Sequence, residues 1–150
     1  MNILKSKSLT AFQKEQICNL WNNEYPVKLN DRFPILLDGV EKFNHYIIEN
    51  ENNQIIAWAV DFEKDGETRF SIIVDSLYQG KGLGSLLVEK LKQENKLFFG
   101  WVIDHHNDLK SDGTHYESPI KFYLNHGFEM LNSMRIDNEM LSAIKIKWQR

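Results

Sequence analysis

Three glycines alternate with other residues in the short segment YQGKGLGS, residues 78–85. Gly80, Gly82 and Gly84 have no Cβ, so the backbone there can turn sharply and come close to another molecule. An apolar helical pattern begins directly after the segment, and the bare amides at the start of a helix bind anions well. The segment is therefore predicted to hold a phosphate group.

Two familiar phosphate-binding loops do not match this segment. A P-loop requires Ser or Thr after its lysine, but Lys81 is followed by Gly82. A dinucleotide fingerprint has the pattern G-x-G-x-x-G, and Ser85 stands where its last glycine belongs. A nucleotide-binding switch is accordingly disfavoured. The alternative is a glycine-rich turn whose only role is packing. Such a turn would lose conformational entropy at three positions on folding, without a ligand to compensate.

Composition and charge narrow the class of protein. The 150 residues suffice for one domain with a core, and we treat residues 1–150 as a single domain. The net charge of −3 argues against nucleic acid as the main partner, since nucleic-acid binders usually carry a basic face. The apolar runs are too short to span a bilayer, and the first residues do not resemble a signal peptide. A single cysteine, Cys18, excludes a disulfide framework. We expect a cytoplasmic protein with no membrane or nucleic-acid partner.

Helical signals dominate the N-terminal third of the chain. Thr10 and Gln13 have the spacing of a capping box, which predicts a helix that begins there and that Pro26 limits. A second short helix is predicted near residues 36–42.

The apolar pattern then changes to that of strands rich in branched and aromatic residues. We predict three strands, at residues 45–48, 54–62 and 69–75. Asp65 and Gly66, between the last two, are a strong hairpin signal. The three strands therefore form an antiparallel meander.

The glycine segment leads into a predicted helix and a fourth strand. Leu83, Leu86, Leu87 and Leu91 fall on one helical face, and the apolar run at residues 96–103 reads as a buried strand. Strand, loop, helix and strand in this order make a right-handed crossover between parallel strands.

A long polar loop and a short helix follow. Residues 104–117 are polar, and loops of this length are often functional. Ser118 and Pro119 resemble the N-cap and first residue of a helix, and Gly127 resembles its C-terminal stop. Two final strands are predicted, at residues 128–136 and 143–148.

Two segments together resemble the signatures of the GNAT-type, acetyl-CoA-dependent N-acetyltransferases. QGKGLG, residues 79–84, matches the family pattern Q/R-x-x-G-x-G/A, and KFYLNHGFE, residues 121–129, resembles the family's second signature. The order of elements is similar as well. The resemblance implies a mixed α/β, GNAT-like fold. Its central sheet would be mixed but mostly antiparallel, with one parallel βαβ crossover, and flanked by helices.

The resemblance also implies acetyl-CoA as cosubstrate and no metal. The amides of residues 80–85 would bind its pyrophosphate, and the strand before the glycine segment would pair with its pantetheine arm and supply a backbone N–H to the oxyanion. Ser118 would either contact the cofactor or only cap its helix. The predicted cofactor contacts are Ile72, Ile73, Val74, Gln79, Gly80, Lys81, Gly82, Leu83, Gly84, Ser85 and Ser118.

Direct attack by an amine requires a proton donor for the departing thiolate. Tyr123 matches the family's tyrosine, which the resemblance identifies as that acid. A phenol of pKa about 10 is protonated near neutral pH. The alternative is a core tyrosine beside Ile120 and Leu124.

The general base is predicted in the polar loop. Asp104, His105 and His106 follow the fourth strand, near where the parallel strands separate in this family, and histidine titrates close to neutral pH. The alternative is a solvent-exposed loop, with Asp61 and Glu63 as reserve candidates for the base. The histidine spacing in the loop matches no familiar zinc site.

The sequence therefore predicts an N-acyltransferase that moves an acetyl group from acetyl-CoA to a primary amine. The acceptor would be a small molecule or a peptide, and the chain could form a homodimer. The alternative is a catalytically inactive acyl-CoA-binding module on the same fold. Four residues stand where the family's first helices wall the acceptor site: Trp21, Tyr25, Arg32 and Phe33.

Overall fold

One seven-stranded sheet organises the fold in the computed structural model, which describes residues 2–150. Short 3₁₀ turns lie at Val27–Leu29 and Ser76–Tyr78. The elements in chain order are β1 (Leu4–Ser6), α1 (Ala11–Glu24), α2 (Phe33–Leu36), β2 (Phe43–Glu49), β3 (Ile55–Lys64), β4 (Glu67–Val74), α3 (Leu83–Glu94), β5 (Leu97–Ile103), α4 (Ile120–Asn125), β6 (Glu129–Asp137) and β7 (Ser142–Gln149).

The strands lie in the order β1-β2-β3-β4-β5-β7-β6, and every neighbouring pair is antiparallel except β4 with β5. The predicted meander is therefore confirmed as β2, β3 and β4. The predicted parallel pair is confirmed as β4 and β5, with α3 connecting them. This is the mixed, mostly antiparallel sheet that the sequence predicts.

Two hydrophobic cores cover the two faces of the sheet. Because side chains alternate along a strand, Trp58 and Val60 of β3 pack in the core beneath α1, whereas Ala57 and Ala59 pack in the core beneath α3. Both helices bury one stripe of apolar residues against these faces. The sheet is thus held from both sides, and β4, next to β3, lies between the two cores.

Local sequence signals explain where the helices begin. Thr10 Oγ1 accepts a hydrogen bond from the Gln13 amide at 3.1 Å, and Gln13 Oε1 accepts one from the Thr10 amide at 2.9 Å, so the predicted capping box is confirmed. Gly127, with a φ of 83°, follows the last residues of α4 and ends that helix as predicted. Among residues 2–150, no helix is both long and apolar enough to cross a membrane.

Two details of the predicted elements are wrong, and one short strand is additional. The second helix occupies Phe33–Leu36 rather than residues 36–42. Pro34 suits the first turn of a helix, whereas Gly39, with a φ of 75°, lies in the chain reversal that follows it. Leu86 is 42% exposed, and Val88 takes its place in the buried stripe of α3. The short strand β1 was not predicted, because three residues carry too little pattern.

Candidate active site

The sheet opens between its two parallel strands. Among the described residues, β4 and β5 share a single register pair, Arg69 with Phe99, near the start of both strands. Gly100 follows, and a Cβ on it would lie 2.5 Å from Cε1 of the Phe70 ring. Glycine is therefore needed where the Phe70 ring crosses β5. Beyond this point β4 continues to Val74 and β5 to Ile103 without further pairing, so a gap lies between them.

The backbone of β4 faces this gap at alternate residues. The Asp75 amide donates to the Ile56 carbonyl at 2.9 Å, which sets the hydrogen-bonding phase of the β3–β4 ladder. Because that phase alternates along an antiparallel pair, the backbone of Ile73 pairs with β3 and the backbones of Ile72 and Val74 point toward the gap. The carbonyl of Val74 accepts a hydrogen bond from Gln79 Nε2 at 3.2 Å.

This phase separates Ile73 from the other two predicted strand contacts of the cofactor. Ile73 has its backbone groups in the β3 ladder, and its side chain is buried in the core beneath α1. It therefore has no group to offer in the gap. Ile72 and Val74 retain theirs.

The glycine segment presents bare amides at the start of α3. Gly80 and Gly82 have φ angles of 79° and 83°, and the space where their side chains would stand is open to at least 4 Å. Within residues 2–150, no backbone N–H from Gly80 to Ser85 donates to a protein acceptor, and no side chain caps α3. Unpaired amides at a helix N-terminus carry positive partial charge, so this segment fits an anion.

Gly84 differs from the other two glycines of the segment. A Cβ there would lie 3.1 Å from Cζ of Phe122, so this glycine allows α3 and α4 to pack closely. Ser85 Oγ lies 3.1 Å from Nε2 of His126, and Lys81 Nζ lies 5.4 Å from the centre of the Tyr78 ring. Leu83 is buried, so only its amide is available to a ligand.

A cavity of about 340 Å³ extends through the gap between β4 and β5. Its lining comes from both faces of the sheet, with Trp21 and Tyr25 of α1 on one side and Tyr123 of α4 on the other. The complete lining is Trp21, Tyr25, Leu29, Arg32, Ile35, Leu36, Phe62, Lys64, Arg69, Phe70, Ser71, Ile72, Gly100, Trp101, Val102, Ile103, Tyr116, Pro119, Tyr123, Ile136 and Leu141. A small molecule in this cavity would therefore be reachable from both faces of the sheet.

Tyr123 lies at the α4 side of this cavity. Only 6% of the residue is exposed, and its ring packs at 5.5 Å from that of Phe70 and 5.2 Å from that of Phe128. Its hydroxyl makes no hydrogen bond to another residue of the described chain. Burial raises the pKa of Tyr123 well above its usual value of about 10, so the phenol is protonated at neutral pH. It is therefore a packed residue whose phenol carries its proton.

Two further tyrosines stand beside it. The rings of Tyr25 and Tyr116 are 6.3 Å apart, and both residues line the cavity. Burial raises the pKa of Tyr25 to about 12 and also raises the pKa of Tyr116. These phenols are hydrogen-bond donors rather than bases near neutral pH.

Ser118 is engaged by its own loop. Its hydroxyl donates to the Ile103 carbonyl and accepts from the Ile120 amide at 3.3 Å. The helix α4 starts at Ile120, one residue later than predicted, and Ser118 still satisfies one of its first amides. A contact between this hydroxyl and a cofactor would compete with both bonds.

The three predicted base candidates of the polar loop do not line the cavity. Asp104 pairs with Arg135, with Oδ2 at 2.7 Å from Nη1, and this hydrogen-bonded pair lowers the pKa of Asp104. Nδ1 of His105 accepts from the Asn107 amide at 3.1 Å, and Nδ1 of His106 accepts from the Ser118 amide at 3.1 Å. None of the three therefore forms part of the cavity wall.

The reserve candidates also lie elsewhere. Asp61 is buried and accepts hydrogen bonds from Tyr46 Oη at 2.7 Å, Asn95 Nδ2 at 2.9 Å and Asn44 Nδ2 at 3.1 Å. Glu63 is exposed, and its carboxylate is 4.0 Å from Lys42 Nζ. Asp61 is thus a structural carboxylate that ties β2, β3 and the end of α3 together.

The sequence identified some of the cavity lining and missed the rest. Trp21, Tyr25 and Arg32 line the cavity as expected, whereas Phe33 is buried in the core beneath α1. Arg69, Trp101 and Tyr116 were not singled out as lining residues. Arg69 shares a strand face with Ser71 by alternation, but no sequence pattern marks that face as a cavity wall.

Comparison with known families identifies the chain. The family model described as "Acetyltransferase (GNAT) domain" matches residues 41–130. This protein therefore belongs to the GNAT acetyltransferase family, whose members generally use acetyl-CoA as the acetyl donor. The matched range includes the glycine segment, both strands of the gap and Tyr123.

Solved structures share the fold at low sequence identity. The aminoglycoside 6'-N-acetyltransferase from Enterococcus faecium superposes with a TM-score of 0.71 at 14% identity, covering 98% of this chain and 96% of that one. The ribosomal-protein-alanine N-acetyltransferase from Brucella melitensis gives 0.64 at 15% identity and covers all of both chains. A search of curated proteins finds no match.

Proposed function

We propose that this protein transfers the acetyl group of acetyl-CoA to a primary amine by direct attack of the amine on the thioester carbon. The observation that carries the proposal is the gap between β4 and β5. There, Ile72 of β4 and Tyr123 of α4 line one cavity, and the backbone of Val74, which also faces away from β3, continues the same edge of β4.

The cofactor would lie along the free side of β4. The unpaired amides of residues 80–85 suit the pyrophosphate, because they combine hydrogen-bond donors with the positive end of α3. The backbone groups of Ile72 and Val74 suit the amides of the pantetheine arm, in the way that one strand pairs with another. Gln79 would release the Val74 carbonyl to make that pairing complete.

The cavity supplies two of the three groups that the reaction needs. The nitrogen lone pair forms the new C–N bond, and a backbone N–H of β4 would stabilise the negative charge on the carbonyl oxygen. As the C–S bond breaks, the thiolate would take a proton from the hydroxyl of Tyr123, and the resulting phenolate would regain one from water. The amine must also lose a proton.

The route of that last proton follows from what lines the cavity. Because neither Asp104 nor His105 lines it, the amine would lose its proton to water. His105 remains the proposed final acceptor through a water relay. Asp104, held by Arg135, would instead fix the end of β5 to β6.

The relatives support transfer to nitrogen. The names of the two solved relatives describe N-acetylation of an aminoglycoside and of a ribosomal-protein alanine. A small-molecule or peptide amine is therefore the proposed acceptor here.

A screen of primary amines with acetyl-CoA tests the proposal. We expect release of free coenzyme A thiol, together with a product whose mass is that of the N-acetylated amine. Tyr123→Phe serves as the matched variant, since it keeps the ring and removes the proton donor. Binding of acetyl-CoA without acetylation of any amine would instead identify an inactive acyl-CoA-binding module.

A further inference from the structure

The charged side chains that line the cavity all have the same sign. They are Arg32 from the segment before α2, Lys64 from the end of β3, and Arg69 from β4. No Asp or Glu is among the lining residues in the described part of the chain, although the whole chain carries a net charge of −3. The cavity thus concentrates positive charge in an acidic protein.

Nearby carboxylates neutralise only part of this charge. Arg69 donates to Glu67 at 2.9 Å and to Asp65 at 3.2 Å, and Glu67 also bonds to the buried Lys145 at 2.7 Å. These two carboxylates therefore already have two cations. Arg32 and Lys64 make no ion pair with any residue from 2 to 150, so their charges are uncompensated.

The remainder of the lining is mostly aromatic and aliphatic. On the α1 side it includes Trp21, Phe62, Trp101, Ile136 and Leu141. An apolar wall favours a ligand with an apolar body, and unpaired cations at its rim favour a ligand with an anionic group.

We propose that the acceptor amine carries a carboxylate on an apolar skeleton, as an amino acid with an apolar side chain does. The inference rests on the proposed function and goes beyond it by naming the acceptor class. Arg32 and Lys64 would hold the carboxylate, and the amine would point to the gap between β4 and β5. Polycationic amines would be repelled, so the fold shared with the Enterococcus faecium enzyme would not extend to its aminoglycoside substrate.

Matched pairs of ligands isolate the contribution of the carboxylate. Phenylalanine with phenethylamine, leucine with 3-methylbutylamine, and tryptophan with tryptamine differ within each pair only by that group. Binding is measured by calorimetry with coenzyme A present, for each amine and for its N-acetylated form. We expect the carboxylate-bearing member of at least one pair to bind about tenfold to a hundredfold more tightly. A hydrogen bond to a charged group changes the dissociation constant by about that factor.

Charge reversal at the two cations tests their assignment. The double variant Arg32→Glu, Lys64→Glu should lose the preference for the carboxylate. The control Lys7→Glu, Lys96→Glu changes the net charge equally at two exposed lysines outside the cavity, and it should keep the preference. Thermal shift with acetyl-CoA confirms that both double variants still fold and bind the cofactor.

Equal affinities within every pair would overturn the proposal, as would binding of no pair at millimolar concentration. A preference that survives in the Arg32→Glu, Lys64→Glu variant would also overturn it.

Turnover separates this inference from the proposed function. Acetylation of the decarboxylated amines at equal or higher rates would leave the function standing and remove the inference. Tight binding of the carboxylate-bearing member without acetylation would leave the preference for a carboxylate standing and remove the proposed acetyl transfer.

Discussion

At the scale of single residues, Tyr123 combines a place in the core with the proposed role of proton donor. Its ring belongs to an aromatic cluster with Phe70 and Phe128, the residue lines the cavity, and its hydroxyl has no hydrogen-bond partner among residues 2–150. The same burial that fixes the ring raises the pKa of the phenol and keeps it protonated. The surrounding core therefore keeps the proton on the phenol, as the proposed role of Tyr123 requires.

Tyr123→Phe should lower kcat by about a hundredfold or more, because a positioned general acid contributes that much. The KM for acetyl-CoA should change far less, since a proton transferred in the transition state adds little to ground-state binding. Steady-state rates on an acceptor from the screen measure both. A loss below about threefold would leave Tyr123 as a core residue alone.

His105→Ala tests the water relay. If His105 receives the amine proton, the rate should fall on acidification in the parent, because a protonated imidazole cannot accept another proton, and the variant should lose that dependence. His115→Ala is the control, because it changes a histidine of the same loop that lies outside the cavity lining. An unchanged pH profile in His105→Ala would assign the proton to bulk water.

His45 gives the fold a pH dependence of its own. The residue is 2% exposed, and its Nδ1 accepts a hydrogen bond from Trp58 Nε1 at 3.0 Å. Burial lowers the pKa of His45 from 6.5 to about 4. The unfolded chain therefore binds this proton more readily than the folded one between those two pH values.

The contribution of neutral His45 to the free energy of unfolding should therefore be fully present above pH 6.5. The free energy of unfolding should fall by about 3 kcal/mol as the pH drops toward 4. Urea unfolding across this range measures the loss, and His45→Gln should show a shallower slope. Parallel slopes in parent and variant would remove His45 as the cause.

Among the elements, the start of α3 depends on two glycines with left-handed backbone. Gly82→Val should abolish most of the stabilisation by acetyl-CoA, because a branched side chain would occupy the open space before the helix. Gly39→Val is the matched control, since it has a φ of 75°, open space around it and a position in another loop. Thermal shift with acetyl-CoA compares the two. Equal shifts in both folded variants would contradict the anion site.

Asp61 links three elements through buried hydrogen bonds. Asp61→Ala leaves the Tyr46 hydroxyl and the Asn95 amide without their acceptor, so it should cost about 2–4 kcal/mol of unfolding free energy. Glu63→Ala, two residues along the same strand but exposed, should change it by less than about 0.5 kcal/mol. Chemical denaturation of both variants decides whether Asp61 is structural.

The elements that local sequence encodes were predictable, and the contacts between them were not. Thr10 with Gln13 and Asp65 with Gly66 fix a helix start and a hairpin through bonds between near neighbours. The phase that turns the Ile73 backbone toward β3 follows from that hairpin, because a two-residue loop makes Lys64 and Glu67 a hydrogen-bonded pair and every second pair after them alike. What fills the space on the other side of β4 depends instead on how distant segments pack. The position of His105 outside the cavity depends likewise on how the long loop folds back.

At the scale of the whole molecule, the sheet consists of two parts that meet along one short parallel contact. The glycine segment follows β4, the last strand of the part formed by β1 to β4. Tyr123 lies in α4, which connects β5 to β6 in the part formed by β5, β7 and β6. A bound cofactor would lie between them and would order both sides of the gap.

Hydrogen exchange tests this arrangement amide by amide. The amides of Ile72 and Val74 should exchange markedly more slowly when acetyl-CoA is bound, because they gain partners in the gap. The amide of Ile73 is an internal control, since β3 already protects it. Saturation with acetyl-CoA that leaves all three rates unchanged would place the cofactor elsewhere.

An opening inside a sheet also gives the molecule more strand edges than an intact sheet has. The outer edges are poor templates for a foreign strand, because β1 has three residues and the pairing of β6 shifts between Leu131 and Arg135. The inner edge at Ile72 and Val74 has no such protection. Protein stripped of cofactor should therefore be prone to self-association by strand addition at high concentration, and coenzyme A should act as a solubilising additive during purification and storage.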